Sequence, residues 1–475
     1  MANLKLFGSS RYASRVAPRR AKADKGSRKS KKVRKPLKTV AIILAVILCL
    51  EGLYFFCMYT QNSFVKRLRE DYIRTGMSTL SHQWLVTYFI PAPIVEDVQF
   101  RYGTQVGSQI GVTTSWGKTE ESAPSANPME LPSETDPVEL EPTVIQPEIE
   151  HEKEPTPEEL EAQAKEAFYE LFWELNRDTM EAYIAEHPDV LNNGWDHIYI
   201  NEAGLDDEGT SIYTTIGDEG EQVLAIDAEN KIMLVREKGQ GYRGVLAICK
   251  DPSRLSIEMA PNVGFAHEPG KSGSGAGDIA EAHNGILAMT ANGFVDADEM
   301  GNQGNGNGGW LAGYTMSNGK SMGTHFEAWA YKRIELHKDN LFYIKDVYDA
   351  VSDDCTDATE FQPALIVDGQ VLVDGYWTGT NPRTVIGQSD KYEILMMVIE
   401  GRRPLLGIIG TDVNTCSWIL KKHNCMQAMN LDGGTSSMMW FDGEYVTLCS
   451  NPALPECGRP LPNAWVYQKA PVEDE

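Results

Sequence analysis

At 475 residues, with 42% hydrophobic side chains, the chain is long enough for two or three domains and too apolar to be disordered throughout. Its net charge of −25 is unevenly spread: residues 1–38 carry fourteen Lys and Arg against Asp24 alone, which leaves the remainder near −38. No Cys-x-x-Cys pair occurs, which argues against zinc ribbons and thioredoxin-like redox sites.

Residues 1–38 read as a basic tail. Residues 39–59 (TVAIILAVILCLEGLYFFCMY) span about 31 Å as a helix at 1.5 Å per residue, enough to cross a bilayer core. Glu51 interrupts that run and is expected to be protonated, paired or displaced toward the outer interface. The basic stretch is too long, and the apolar run too aromatic at its end, for a cleaved signal peptide. The positive-inside rule then puts the tail in the cytoplasm and everything after Tyr59 outside, as a single-pass signal anchor. A basic tail can also bind nucleic acid, but one that abuts a membrane span is expected to meet anionic headgroups, so no nucleic-acid partner is expected.

Residues 60–157 read as a juxtamembrane segment followed by an acidic stalk. Trp84, Tyr88 and Phe89 among basic residues suit a membrane interface, and residues 119–157, rich in Glu, Pro, Ser and Thr, bury too little to order themselves. Residues 158–238 read as a small α+β domain. Thr156 and Pro157 can open a helix, Phe168, Leu171, Phe172, Leu175, Met180, Tyr183 and Ile184 follow helical spacing, and short strand-like runs lie at 197–200, 211–216, 223–226 and 232–235. Residues 239–470 carry the pattern of a larger α+β domain, with strands at 245–249, 287–290, 364–367, 393–399 and 464–467. Helices are expected at 278–283 and 415–423, the second capped by Asn414, and the sheet is expected to be mixed, with helices flanking it. Six cysteines lie outside the span; the short separations make 416–425 and 449–457 the expected disulfides, with buried free thiols as the alternative.

Within this last region, residues 430–437 (Asn-Leu-Asp-Gly-Gly-Thr-Ser-Ser) set one carboxylate, Asp432, at a tight glycine turn followed by hydroxyls, a concave place where backbone N–H groups can approach a ligand. An Asp-Gly-Gly turn alone is weak, since most such pairs are hairpins. Its companions add weight: Tyr242-Arg243-Gly244, Asn292-Gly293-Phe294, Asp368-Gly369, Pro382-Arg383-Thr384, Glu400-Gly401-Arg402 and Arg459-Pro460-Leu461-Pro462-Asn463. In that order these segments resemble the phosphodiester glycosidase family over about half the chain. The chain departs from bacterial members at Val295, where a second aromatic is common, and at Thr435, where they often carry a third glycine.

The resemblance implies a glycosidase acting on sugar-1-phosphodiesters, with a phosphate-containing cell-surface glycopolymer or glycolipid as substrate partner. Asp432 is then the expected catalytic carboxylate, able to stabilise, attack or activate water beside an oxocarbenium-like centre. Arg383 and Arg459 are the expected phosphate clamp, and Glu400 a second acid or base unless it pairs with Arg402 or Arg403. Asn292, Gly293, Thr384, Gly433, Gly434, Thr435, Ser436, Ser437 and Asn463 are expected to contact substrate through amides and hydroxyls. No metal ligand is assigned and no cofactor is expected, calcium being the one left open. The loop 296–309 gathers Asp298, Asn302, Asn305 and Asn307, but Met300 sits where an EF-hand needs oxygen, so a pocket rim is the favoured reading. Two rivals stand beside the glycosidase: a non-catalytic surface carbohydrate-binding or polysaccharide-assembly protein, and a phosphodiesterase that cuts P–O.

Overall fold

The computed structural model describes residues 34–79, 83–115, 155–205, 209–265, 268–297, 300, 306–323, 332–375, 379–454, 456 and 458–471. The acidic stretch read as a stalk, as well as Asp298, Asn302, Asn305 and Cys457, lies outside them. The chain divides into two compact units, residues 1–60 and 61–475. The first contains helix α1 (Arg34–Tyr59), whose 22-residue stretch Lys38–Tyr59 is apolar and long enough to cross a membrane. Its apolar side chains, Ile42, Leu48 and Phe55 among them, are exposed.

The second unit opens with α2 (Ser63–Met77), α3 (Trp84–Thr87) and α4 (Ala92–Gly107), then α5 (Pro157–Leu171) and α6 (Arg177–Glu186). At α5 the local chemistry is as the sequence suggests. Thr156 accepts from the Glu159 amide, Glu159 reaches back to the Thr156 amide, and Pro157 occupies the first turn, where its missing N–H costs nothing.

A nine-stranded antiparallel sheet forms the centre of this unit, in the order Tyr199–Asn201, Val223–Asp227, Ile232–Gly239, Tyr242–Cys249, Ile394–Ile399, Arg383–Ser389, Cys425–Asn430, Ala364–Val367 and Gln370–Val371. Because successive side chains alternate faces, each central strand feeds two cores. Ile232, Leu234, Val245, Ala247, Met396 and Val398 face one core, shared with the sheets described next. Met233, Val235, Leu246, Ile248, Leu395 and Met397 face the other, closed by Phe168, Phe172 and Met180 of the α5–α6 region and by Ile419 and Leu420 of a later helix. Burial on both faces explains why these strands read as continuous apolar runs rather than alternating ones.

A five-stranded antiparallel sheet runs Glu444–Tyr445, Met439–Phe441, Gly285–Thr290, Asn463–Gln468, Leu255–Met259. Another runs Lys320–Gly323, Tyr314–Ser317, Cys355–Phe361, Lys332–His337, Phe342–Asp346. Helices α7 (Ala276–Ala282) and α8 (Val413–Lys422) complete the fold. The fold is α+β, and its three larger sheets are antiparallel rather than mixed; the parallel pairing among the described strands is the short one between Gly264–Phe265 and Trp310–Leu311.

Four expectations need correction. Strands on both sides of residue 238 pair directly, Glu237 with Gly244 and Val235 with Leu246, so the stretch 158–238 extends the large sheet instead of forming a domain of its own. Residues 109–114, read from sequence only as part of a juxtamembrane segment, bond to the folded domain. Gln109 exchanges two hydrogen bonds with the Ala364 backbone, Thr114 donates to Gln427, and Lys332 donates to the Val112 carbonyl. The α8 cap is Asp412, whose side chain accepts from the Thr415 amide at 2.8 Å, two residues before the expected Asn414. Cys416 and Cys425 are buried free thiols, not a disulfide, and burial pushes each up to about 12.

Candidate active site

Three neighbouring strands of the large sheet end side by side. Arg383 opens its strand opposite Ile399, whose strand runs out into Glu400-Gly401-Arg402. On the other side Val385 pairs with Asn430, the last residue before Leu431-Asp432. The Leu431 amide continues the ladder to the Thr384 carbonyl at 2.8 Å. Hydrophobic register thus delivers Arg383, Arg402 and Asp432 to one end of the sheet, although they lie far apart in sequence.

Asp432 is enclosed by protein yet keeps partial exposure. Burial pushes its carboxyl up to about 6. Ser436, the charge of Arg459 and the Gly433 amide oppose the rise, and the Asp296 charge adds to it. Gly433 is required by close approach and Gly434 by its left-handed backbone. A side-chain carbon at Gly433 would stand 2.9 Å from the Pro382 carbonyl, and one at Gly434, where φ is +65°, would stand 3.1 Å from Arg402 Nη1.

Arg402 is the residue that sequence reasoning treated only as a partner for Glu400. Its guanidinium lies against the Gly434 turn and donates through Nη2 to Asn381 Oδ1 at 3.0 Å and Thr79 Oγ1 at 3.1 Å. Among the described residues no carboxylate lies within ion-pair distance of it. Burial and the Arg383 charge pull it down to about 10, while the Asp432 charge raises it. Its backbone also sits at φ +58°, an uncommon place for a residue with a side chain. The signal available in the sequence was the Gly401-Arg402 pair after an apolar strand, where a tight turn would throw a cation back over the sheet end.

Arg383 donates to the carbonyls of Gly379 at 2.7 Å and Thr411 at 3.1 Å, and burial lowers its affinity for its proton. The loop before it is covered by α2. Thr380 bonds to Asp71 and Thr75, and Asn381 donates to Ser78 at 3.0 Å. Asp71 is itself raised by burial, with Thr380 and Thr75 pulling the other way. These α2 contacts had no signal in the sequence, because nothing local shows which distant loop a helix will cover.

From the loop before the strand Asn463–Gln468, Arg459 makes a close ion pair with Asp296, donates to the Gly306 carbonyl at 2.8 Å and stacks over Phe294 at 4.6 Å. Its charge reaches Asp432. Asp296, read from sequence only as the start of a pocket rim, is thereby a second carboxylate in the electrostatic surroundings of Asp432.

Other expected site residues are engaged elsewhere. Glu400 is fully buried in a two-point pair with Arg243, at 2.9 and 3.1 Å, and also accepts from the Leu448 amide, which leaves it no place as an acid or base; neither Arg402 nor Arg403 pairs with it. Asn292 and Asn463 are buried against each other: each accepts one 3.0 Å bond from the other, and Asn292 Nδ2 donates to the Tyr314 carbonyl. They hold two turns together rather than present amides to a ligand. The buried Gly293 gives its carbonyl to the Ala312 amide. The Gly434 amide is spent on Pro382, so the turn is not an open anion nest. Thr384 and Ser437 bond to each other, and Ser437 is buried; Ser436 is buried too, but while its carbonyl takes the Thr290 hydroxyl its side chain bonds to Asp432 itself. Thr435 remains partly exposed on the turn. Asn307 uses its amide on Lys271 and Gly309.

Residues 283–468 match the phosphodiester glycosidase family. No curated protein matches the chain significantly. Among solved structures, the catalytic domain of zebrafish N-acetylglucosamine-1-phosphodiester alpha-N-acetylglucosaminidase, auto-inhibited by its pro-peptide, is similar at 15% identity and a TM-score of 0.40, over 57% of this chain and 88% of that one. A hypothetical protein from Synechocystis is similar at 11% identity and 0.33, over 54% and 65%. A putative exported protein from Burkholderia pseudomallei is similar at 13% and 0.33, over 48% and 74%.

Proposed function

We propose that this chain, which carries a phosphodiester glycosidase domain over residues 283–468, hydrolyses the bond between a sugar's anomeric carbon and a phosphodiester. The observation that carries the reading is one carboxylate, Asp432, lying in the field of Arg402 and Arg459 at the end of the central sheet. A departing phosphate needs little protonation, since its second pKa is near 6, so cations that neutralise it do much of what a general acid does for a sugar alcohol. Arg402, with no carboxylate partner of its own among the described residues, offers planar paired donors to phosphate oxygens. Arg383 and Arg459 add positive potential on either side. Asp432, as the carboxylate, meets the positive charge that develops at the anomeric carbon.

The apolar helix Lys38–Tyr59, preceded by a strongly basic segment, supports a membrane-anchored enzyme with a cytoplasmic amino terminus and an outward-facing domain. A phosphate-linked glycopolymer or glycolipid at the cell surface is then the substrate class. The test is hydrolysis of sugar-1-phosphodiesters in oxygen-18 water. Label in the released sugar and loss of turnover in Asp432→Asn support glycosidic cleavage. Label in the phosphate means P–O cleavage, and binding with no turnover in the wild type means a carbohydrate-binding protein; either outcome sinks the proposal.

A further inference from the structure

Away from the sheet end that holds Asp432, three ligating side chains from distant segments meet in the interior. Glu221 lies just before the strand Val223–Asp227, with its amide held by Thr214 Oγ1. Glu237 lies near the end of the strand Ile232–Gly239, and His423 caps the carboxyl end of α8. They are 8%, 3% and 1% exposed. His423 Nε2 stands 3.1 and 3.2 Å from the two Glu221 oxygens and 4.0 Å from Glu237 Oε1, and one ligating atom from each residue lies within 4.8 Å of the others.

Two buried carboxylates facing one another are unstable unless something positive joins them. Glu237 Oε1 has no hydrogen-bond donor among the described residues, and Glu221 Oε2 has none beyond the His423 Nε2 that stands 3.1 Å away. Metal bonds of about 2.0–2.1 Å at tetrahedral angles set ligand atoms roughly 3.3 Å apart, which His423 and Glu221 already meet and which Glu237, at 4.0 Å from His423, would reach by moving in by less than about 1 Å. One imidazole nitrogen with two carboxylates is a donor set for a first-row divalent ion, zinc or manganese rather than the all-oxygen set that calcium prefers.

We propose that Glu221, Glu237 and His423 form a structural site for such a divalent ion, which fastens the strands entered at Glu221 and left at Glu237 to the end of α8. Glu221 and Glu237 precede the segment that matches the glycosidase family, whereas His423 lies within it, so the ion would join the amino-terminal strands to that domain. The site stands independently of the proposed reaction.

The test uses the full chain, purified without a polyhistidine tag. After chelator treatment, its metal content and thermal midpoint are measured before and after addition of Zn2+ or Mn2+. The expected result is uptake of one equivalent with a rise of several degrees in the midpoint, both absent in Glu237→Gln and in His423→Gln. Should those variants fail to fold, the wild type decides: Co2+ must give a visible d–d band that the chelator removes. No uptake, no midpoint change and no Co2+ band overturn the proposal, as does uptake that both variants retain; the cluster is then a pair of carboxylates sharing a proton beside His423.

Discussion

The ionisation of Asp432 links activity and stability through a single atom group. Its carboxyl rises from an ordinary 3.8 to about 6 on folding. The raised value means that the folded state favours the proton, so the contribution to stability is full below pH 3.8 and lost as pH rises through about 6. Above that pH the ionised carboxylate costs on the order of 3 kcal/mol. Asp432→Asn is therefore expected to raise the thermal midpoint at pH 7.5 but not at pH 4, while lowering kcat by roughly 10²–10⁴-fold. A lower midpoint at pH 7.5 would contradict this account. In the wild type, kcat/KM should climb as pH rises toward about 6 and level off above it. Arg402→Ala should lose roughly ten- to hundredfold in kcat/KM, the scale of one charge-assisted hydrogen bond, with Arg402→Lys recovering only part, since an ammonium lacks the planar fork. Glu400→Gln separates stability from chemistry. It leaves the partly exposed Arg243 facing a neutral amide, so chemical denaturation should show a loss on the order of 1–3 kcal/mol, with KM of the surviving folded enzyme little changed.

Among the elements, local sequence chemistry was most legible where it acts within a few residues. The Thr156 capping box, Pro157 and the apolar spacing of Phe168, Phe172 and Met180 specified α5 and the start of α6, and the structure shows those elements. The cap of α8 was misplaced because Asp412 and Asn414 are both good caps; which one serves depends on where the preceding turn around Gly410, at φ +113°, releases the chain. Asp412→Ala should cost about 1 kcal/mol in urea unfolding, whereas Asn414→Ala should change little. Helix α2 lies in the stretch read from sequence only as a juxtamembrane segment, and neither the helix nor the contacts of Asp71, Thr75, Ser78 and Thr79 with the loop before Arg383 and with Arg402 were legible there. Those contacts are short polar bonds between residues some three hundred positions apart, and no periodicity encodes them.

Over the whole molecule, the second unit begins at Gln61, far ahead of the segment that matches the glycosidase family. Residues 63–115 supply hydrogen bonds to the edge of the large sheet and to Lys332, whose side chain is fully buried. A soluble chain begun at residue 155 would strip those partners and leave buried donors and acceptors unsatisfied, at about 1–3 kcal/mol each. It should unfold at lower denaturant than a chain begun at residue 61, with a weaker response to substrate because Arg402 loses its Thr79 contact. Equal midpoints for the two chains would show that the helical segment is dispensable.

By itself the sequence determined the charge division about one apolar helix, the α+β class, the helix at Pro157 and the resemblance that singled out Asp432, because each is written in composition, spacing or short contiguous motifs. Only the tertiary structure decided that Arg402 rather than Glu400 belongs beside Asp432, that Asn292 and Asn463 hold each other, and that residues 158–238 extend the main sheet. Those outcomes depend on which strands become neighbours and which of several polar partners a buried group reaches first. That competition is settled by packing across the chain, where an arginine such as Arg243 can take a glutamate that local order would have given to Arg402.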